Sequence, residues 1–435
     1  MFKSLFTSVA LAGAAIATES YDVSFESLGQ FKVKNPAFVD VTEFEVNGVS
    51  SDKFLIVSEF GALSSGKVSI VPSVQQASDE GNVASLTATK LDTPSFEWPN
   101  DVKVIPGDVF GERAIVVPDG FLVPGKSNGN IYAIRMDEND VTVATETVKL
   151  SSFPKGYFAH MGFWVDMNGD GRKDFLTARS NAKAGHGQLL WLEHPEGGLD
   201  VAPWEEHVIT QGPDVGFTID FDMFPGYLTV FAAQFFDETL AWYQISLSDG
   251  SLYDSMIIDN TEIHSAYSAT VVDLNGDGKK QLLVNNHEKK NKLAAVYAYE
   301  IPEDLNTSQP WTRHTLANDF KNAFSITVPN MSPGFPYAMW PEGGEHYGRR
   351  GHIFIAGDGD HSAHVLVPTG DASEFQYTDQ LIKNEGGTVG ALTFNRPTGD
   401  VSSKLQVWVP NYDKGYVEVF QTIDPPSEDP QTFLQ

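Results

Sequence analysis

Short runs rich in Val, Ile, Phe, Tyr and Trp alternate along almost the whole chain with clusters of Gly, Asn, Asp and Pro. Apolar runs of this length, bounded by turn formers, predict strand after strand. No stretch keeps a helical period over roughly three turns. The 38 glycines and 24 prolines suit many tight turns.

Lining up the runs exposes a longer repeat. Phe163-Trp164-Val165 leads through Asp166-Met167-Asn168-Gly169-Asp170-Gly171 into Asp174-Phe175-Leu176-Thr177-Ala178, then Gln188 to Leu192 and Trp204 to Ile209. The same order returns from Thr270-Val271-Val272 through Asp273-Leu274-Asn275-Gly276-Asp277-Gly278 into Gln281 to Val284, then Ala294 to Tyr299 and Trp311 to Leu316. Each unit holds four short strands with one acidic loop after the first, the plan of a propeller blade. Copies without the loop run from Phe38 to Val71, Val102 to Ile134 and Phe217 to Ile245, with two more around Ile353 to Val367 and Leu405 to Phe420. Seven units at a spacing of roughly 50 residues predict an all-β fold, a single β-propeller over residues 18–423 with seven blades, six or eight being the alternatives. The strand near Tyr21 to Val33 is expected to pair with the last unit and close the ring, which removes exposed edges.

Composition narrows the setting. The chain carries 29 basic and 58 acidic residues, a formal net charge of -29, which repels phosphate backbones and anionic lipid and argues against nucleic-acid binding. Lys3, the apolar run Leu5 to Ile16 and the small-x-small site Ala15-Ile16-Ala17 predict a secretory signal over residues 1–17. No later stretch is apolar for long enough to span a bilayer. With no cysteine, thiol nucleophiles and thiolate metal sites are excluded. Asn306 and Asn330 head N-glycosylation sequons, and the acidic tail 424–435 with its prolines is expected to be disordered.

Asp166, Asn168 and Asp170 stand at alternate positions, with Asp174 at the ninth, a spacing that offers several oxygens to one hard cation. Calcium is therefore expected there, in a structural role. In the second loop Asp273, Asn275 and Asp277 recur as candidate metal ligands, but Gln281 takes the ninth position and one charge is lost, which leaves a metal site and a metal-free turn as alternatives there. The stretch Gly357-Asp358-Gly359-Asp360 is read as a simple turn.

The paired Asp-x-Asn-Gly-Asp-Gly loops inside blades resemble the FG-GAP/VCBS repeats of integrin-α-type propellers. The run Leu190-Trp191-Leu192-Glu193-His194-Pro195, with Trp204 and His207, resembles secreted propellers related to aldos-2-ulose dehydratase. In size, signal and lack of an extra domain the chain resembles the fungal hetero-Diels–Alderases of tropolone-sesquiterpenoid pathways. That resemblance implies dehydration of a hydroxymethyl tropolone to a quinone-methide, followed by cycloaddition with a terpene alkene, without an organic cofactor.

In a propeller the residues that begin the inner strand and end the second strand of each blade converge on the channel mouth. By that rule His160, Arg179, His264 and His287 are the candidate catalytic residues. Tyr267, Gln234, Asn285, Trp340, Asp360, His361 and Tyr412 are candidates for binding a small molecule, apolar or sugar-like; Glu59 and Lys126 occupy comparable exits. Phe335, Trp340 and Tyr347 lie in an insertion placed to lid the mouth. His194 and His207 fall on outer strands and are assigned to blade packing. No Ser-His-Asp spacing, phosphate loop or HExxH appears, so hydrolase and NTPase readings lack a motif. A sugar dehydratase, a polysaccharide lyase and a non-catalytic glycan- or protein-binding propeller remain as alternatives.

Overall fold

The computed structural model describes residues 23–61, 64–123, 125–323, 331–341, 348–384, 386–396 and 404–423. Seven antiparallel four-stranded sheets follow one another along the chain. Blade 1 holds Pro36–Thr42, Phe54–Gly61, Ser64–Val71 and Thr89–Lys90; blade 2 holds Lys103–Val104, Ala114–Pro118, Ile131–Met136 and Ala144–Lys149. Blade 3 is Phe158–Val165, Asp174–Ser180, Gln188–Glu193 and Glu205–Gln211; blade 4 is Gly216–Asp220, Tyr227–Gln234, Thr239–Ser246 and Leu252–Asp259. Blade 5 is Ala266–Val272, Gln281–Asn286, Ala295–Glu300 and Arg313–Asn318; blade 6 is Pro336–Met339, His352–Ala356, Ala363–Pro368 and Tyr377–Lys383. Blade 7 joins Thr393–Asn395, Gln406–Asn411 and Tyr416–Ile423 to Ser24–Lys32 from the other end of the described chain.

The burial pattern explains why some strands announce themselves in sequence and others do not. The second strands of blades 1, 2, 3, 5, 6 and 7 are buried at every position, because both faces lie against neighbouring blades. Such strands read as continuous apolar runs. The outermost strands, such as Glu205–Gln211, are only partly covered and read as mixed polar segments.

Seven apolar clusters fill the seven blade interfaces. Ile115 and Val117 meet Phe54 and Ile56; Phe175 and Leu190 meet Ala114 and Val116; Val230 and Tyr243 meet Leu176 and Trp191. Trp242 meets Leu282, Leu366 meets Val296, Val407 meets Val365, and Val419 and Trp408 meet Leu55 and Val57. The last contact brings blade 7 against blade 1, so the ring is complete. Its closure is the expected one: Ser24 pairs with Ile423 and Lys32 with Tyr416, and Phe31 packs edge-on against Trp408 with ring centroids 6.1 Å apart. The chain is a seven-bladed β-propeller.

The signal 1–17, the tail 424–435, Tyr347 and Asn330 fall outside the described residues. Asn306 is exposed on the outer side of blade 5, its amide donating to Asp254 at 2.9 Å.

Candidate active site at the mouth of the channel

The side-chain geometry at the mouth begins with a repeated backbone irregularity. The pairing of the innermost with the second strand shifts register between Pro36 and Val39 in blade 1, Ala159 and Gly162 in blade 3, and Ala266 and Ser268 in blade 5. A bulge re-aims the side chain it carries. The residues within these three bulges include Phe38, His160 and Tyr267, and all three line one cavity of about 560 Å³. Gly162 serves the bulge of blade 3, since a Cβ there would lie 2.4 Å from the Phe175 ring and 2.6 Å from the Leu176 carbonyl oxygen.

Aromatic side chains form much of the wall. Trp98 stacks between Phe60 (4.1 Å between centroids) and Phe121 (5.3 Å). Phe38 bridges from Phe60 to His160, meeting the imidazole edge-on at 5.4 Å. Tyr267 stacks on Phe335 at 4.9 Å and on His287 at 4.4 Å. Phe158, Phe235 and Phe236 extend the lining. Buried carboxylates fix these rings through the backbone. Asp119 accepts the amides of Glu97 and Trp98 at 3.1 and 2.7 Å, and Asp214 accepts those of Phe235 and Phe236 at 2.8 and 2.7 Å.

Few of the polar groups of the cavity are deeply buried. His160 is buried, and among the described residues neither of its ring nitrogens has a protein hydrogen-bond partner. Burial pushes its pKa down to about 4; His287 adds to the shift and Asp101 opposes it. His287 places Nδ1 2.9 Å from the Pro333 carbonyl oxygen, which can only accept, so Nδ1 carries the proton and Nε2 is the bare acceptor. Burial holds this ring near 4 as well, against the Pro333 hydrogen bond and the charge of Glu288. The Asp358 carboxylate lies 3.6 Å from His287 Nε2, and its pKa is pushed up to about 8 by burial and by Asp413. The hydroxyl of Tyr267 stays protonated, its pKa raised well above the ordinary value by burial. Near neutral pH these buried groups are thus uncharged inside a strongly acidic protein, with imidazole bases that keep free electron pairs; the charges of the lining, Glu288, Lys289 and Lys290, lie at its more exposed part. Farther along the inner strands the Lys103 ammonium lies 3.2 Å from Asp40 and 3.4 Å from Asp101. Asn100 also borders the cavity; its Nδ2 donates to Gly120 and Ala159 at 2.8 Å each, while its Oδ1 has no protein donor among the described residues.

Of the residues singled out in the sequence, His160, His287, Tyr267 and Tyr412 line the cavity. The Tyr412 hydroxyl donates to the Phe60 carbonyl at 2.9 Å. Arg179 does not join them. Its guanidinium stacks over Phe153 and Tyr157 and is bound to Glu206 at 2.5 Å and Gln188 at 2.8 Å, a buried brace within the blade. His264 adopts a left-handed turn (φ 55°) one residue before the cavity-lining Ser265 and does not line the cavity itself. Gln234 spends both ends of its amide inside blade 4, on Tyr243 and Thr239. Asn285 is buried and ties Ser268 to the carbonyls of Pro333 and Gly334, which holds the acceptor of His287 in place. Asp360 accepts from His364 at 2.7 Å; His361 stands 3.8 Å from Asp413, behind the cavity-lining Thr388. Glu59 is engaged by Ser69 and Lys90, and Lys126 donates to the Ser64 carbonyl. Trp340 follows the inner strand of blade 6, at its far end, and donates to the Arg349 carbonyl, so it is no part of a lid; Phe335, at the start of that strand, does border the site.

The acidic loops connect first and second strands on the opposite face. Asp166 accepts the amides of Gly169, Asp170 and Gly171 at 2.8, 3.2 and 2.9 Å, with both glycines at positive φ. Asn168 Oδ1 accepts the Asp170 amide at 3.1 Å. In the second loop Asp273 accepts the amides of Asp277 and Gly278, and Asp277 accepts that of Lys279, while Asn275 Oδ1 has no donor among the described residues. The side chain at the ninth position also braces the backbone. Asp174 accepts the amides of Met167 and His194 at 2.8 Å each, and Gln281 accepts that of Leu274 at 2.8 Å. A neutral amide does this bracing as well as a carboxylate, which accounts for the Asp-to-Gln exchange between the loops. His194 stacks on Trp204 and His207 on Trp191, in the packing role expected.

Phe38, Phe60, Trp98, Phe121, Phe235, Phe236 and Asp358 line the site without being singled out by the sequence. Their common signal is position, at or within a few residues of the mouth end of a first or second strand.

No protein-family description and no curated protein sequence matches the chain. Solved structures similar to it include the Dos1 propeller, 12% identical over 91% of this chain and 94% of that one, with a TM-score of 0.49. A luciferin-regenerating enzyme is 9% identical over 92% and 95% of the two chains, TM-score 0.41. A functionally unknown protein from Desulfotomaculum acetoxidans is 10% identical over 81% and 90%, TM-score 0.45. These are similarities of overall shape; the seven-bladed ring rests on the strand pairing and interface clusters of the chain itself.

Proposed function

We propose that the protein is an enzyme of small-molecule metabolism that dehydrates a hydroxymethyl tropolone to a quinone-methide and holds it for hetero-Diels–Alder cycloaddition with a terpene alkene. One observation carries this reading: a cavity rich in aromatic and other apolar side chains, formed by blades all round the ring, whose buried titratable groups are uncharged near neutral pH. Its volume of about 560 Å³ falls within the ordinary range of ligand sites.

The chemistry follows from the free groups. His160, with both nitrogens unengaged, accepts the proton of the ring hydroxyl. An acid of the pocket protonates the hydroxymethyl oxygen, the C–O bond breaks, and water leaves. The electron pair released from the ring O–H closes the new carbonyl and the exocyclic double bond, so substrate and products differ by one water. The second step needs no proton transfer. It needs two apolar reactants held together and water kept from the reactive intermediate, which stacked aromatic walls supply. A sugar dehydratase or lyase would call for a more polar wall than Phe38, Phe60, Trp98, Phe121, Phe158, Phe235 and Phe236 provide. Secretion, and structural calcium at the Asp166 loop, belong to the same proposal.

The test is to incubate the protein with hydroxymethyl tropolone and excess 2-mercaptoethanol, and to follow the thioether formed when the thiol traps the quinone-methide. Adduct formation faster than in buffer, abolished in His160→Leu, is expected. A rate equal to buffer with the wild-type protein overturns the dehydration reading.

A further inference from the structure

Three of the buried acids of this propeller follow a rule, while Glu59 is engaged by the side chains of Ser69 and Lys90 instead. Asp119, Asp174 and Asp214 each accept two backbone amides, and each thereby fixes a loop. Asp358 departs from it. Among the described residues no donor lies within hydrogen-bond distance of its carboxylate, and the nearest polar partner is His287 Nε2 at 3.6 Å. The side chain is 18% exposed, and it borders the mouth cavity.

The backbone is built to keep it there. Asp358 sits at φ 50°, a left-handed conformation that costs a non-glycine residue free energy. Its amide donates to the Val389 carbonyl at 2.9 Å, which ties the turn to blade 7. Gly357 and Gly359 flank it, and neither site admits a side chain. A Cβ at Gly357 would lie 2.4 Å from the Ser362 carbonyl oxygen, and one at Gly359 would lie 2.6 Å from that of Met331. A strained turn that spends its carboxylate on no structural contact points to use of that carboxylate by a ligand.

We propose that Asp358 is the acid that protonates the departing hydroxyl, with His160 as the base, an inference that rests on the dehydration reading above. In this step the Asp358 proton passes to the hydroxyl oxygen, and the C–O electron pair leaves with water. His160 takes the ring hydroxyl proton. The imidazolium then returns its proton to the carboxylate through the released water, so the enzyme ends as it began and no oxidant or reductant is required. The groups around Asp358 suit the role. His287 presents an unprotonated nitrogen from blade 5, Tyr267 a neutral hydroxyl, and Asp413 of blade 7 a negative charge, with His361 beside Asp413 and Glu288 beside His287. Burial and Asp413 keep the Asp358 proton in place up to a pH of about 8.

Two measurements on Asp358→Asn test this. In the thiol-trapping assay its kcat should fall by about 100-fold or more, the usual share of a general acid, with tropolone binding changed by less than about threefold. Asp358→Glu should recover part of the rate. The wild-type rate should decline as pH rises through about 8, and the Asn variant should lack that limb. Independently of any substrate, an infrared difference spectrum of wild type minus Asp358→Asn at pH 6.5 should contain the carbonyl band of a protonated carboxylic acid, lost by about pH 10. Full turnover in Asp358→Asn, or absence of that band at pH 6.5, overturns the assignment. A wild type that shows the band but makes no thiol adduct sinks the dehydration reading while supporting a protonated, poised Asp358.

Discussion

Replacing His160 by Leu should stabilise the protein while abolishing its activity. The imidazole is 2% exposed, packed against Phe38, Tyr267 and Phe335, and its nitrogens have no protein partner among the described residues. A wholly unsatisfied buried polar group costs about 1–3 kcal/mol; the His160 nitrogens face the cavity and keep access to water, so an apolar side chain of similar size removes only part of that cost. The gain should grow in acid. With a folded-state pKa of about 4 against an ordinary 6.5, the unfolded chain binds a proton below pH 6.5 that the folded chain refuses. This depressed pKa therefore gives a stability term that is complete above 6.5 and is lost as pH falls toward 4. At 1.36 kcal/mol per unit, the wild type loses about 2–3 kcal/mol by pH 4.5 that the Leu variant keeps. Urea unfolding followed by tryptophan fluorescence at pH 7.5 and 4.5 measures both terms. A Leu variant less stable than wild type by more than about 1 kcal/mol at pH 7.5 would make His160 a packing residue. An unchanged difference between the two pH values would mean that the ring is not held neutral.

Other outcomes follow from the same geometry. Phe31→Ala, in the strand that closes the ring, should cost about 3–5 kcal/mol in urea unfolding, and a cost below about 1 would contradict the closure by Ser24–Lys32. Arg179→Ala should destabilise by about 3–5 kcal/mol, because it leaves Glu206 and Gln188 without their partner; a fully stable but inactive variant would return Arg179 to the catalytic set. If the Asp166 loop holds calcium, excess EDTA should lower Tm, and Asp166→Ala should remove the response; an unshifted melting curve in EDTA counts against the metal.

How far the sequence leads depends on which faces are buried. Phe54 to Val57 and Leu282 to Val284 are covered on both sides and read as strands at sight. The in-register acidic loops of blades 3 and 5 set the repeat length. His160, His287, Tyr267 and Tyr412 are legible because a propeller sends the same blade position to the mouth. Arg179 satisfies the same positional rule and fails, since side chains alternate along a strand and the rule does not say which way a residue points. The bulges at Phe38, His160 and Tyr267 shift that alternation, and no residue type in them advertises it. Asp358 escapes notice because Gly-Asp-Gly-Asp reads as a turn. It is a turn, and its carboxylate borders the cavity nonetheless.

Pairing Ser24–Lys32 with Tyr416–Ile423 sets the order in which this molecule can be finished. The closing strand leaves the ribosome before the other six blades and waits for a partner that follows all of them. At roughly 5–20 residues per second that interval is on the order of 20–80 s. Six blades can assemble as they emerge, but the seventh lacks the three strands that Ser24–Lys32 must cover until residue 423 has been made. During that wait the Phe31 segment must neither add to an earlier blade nor capture a neighbouring chain, and the cavity, which draws on every blade, cannot take shape before the circle is joined.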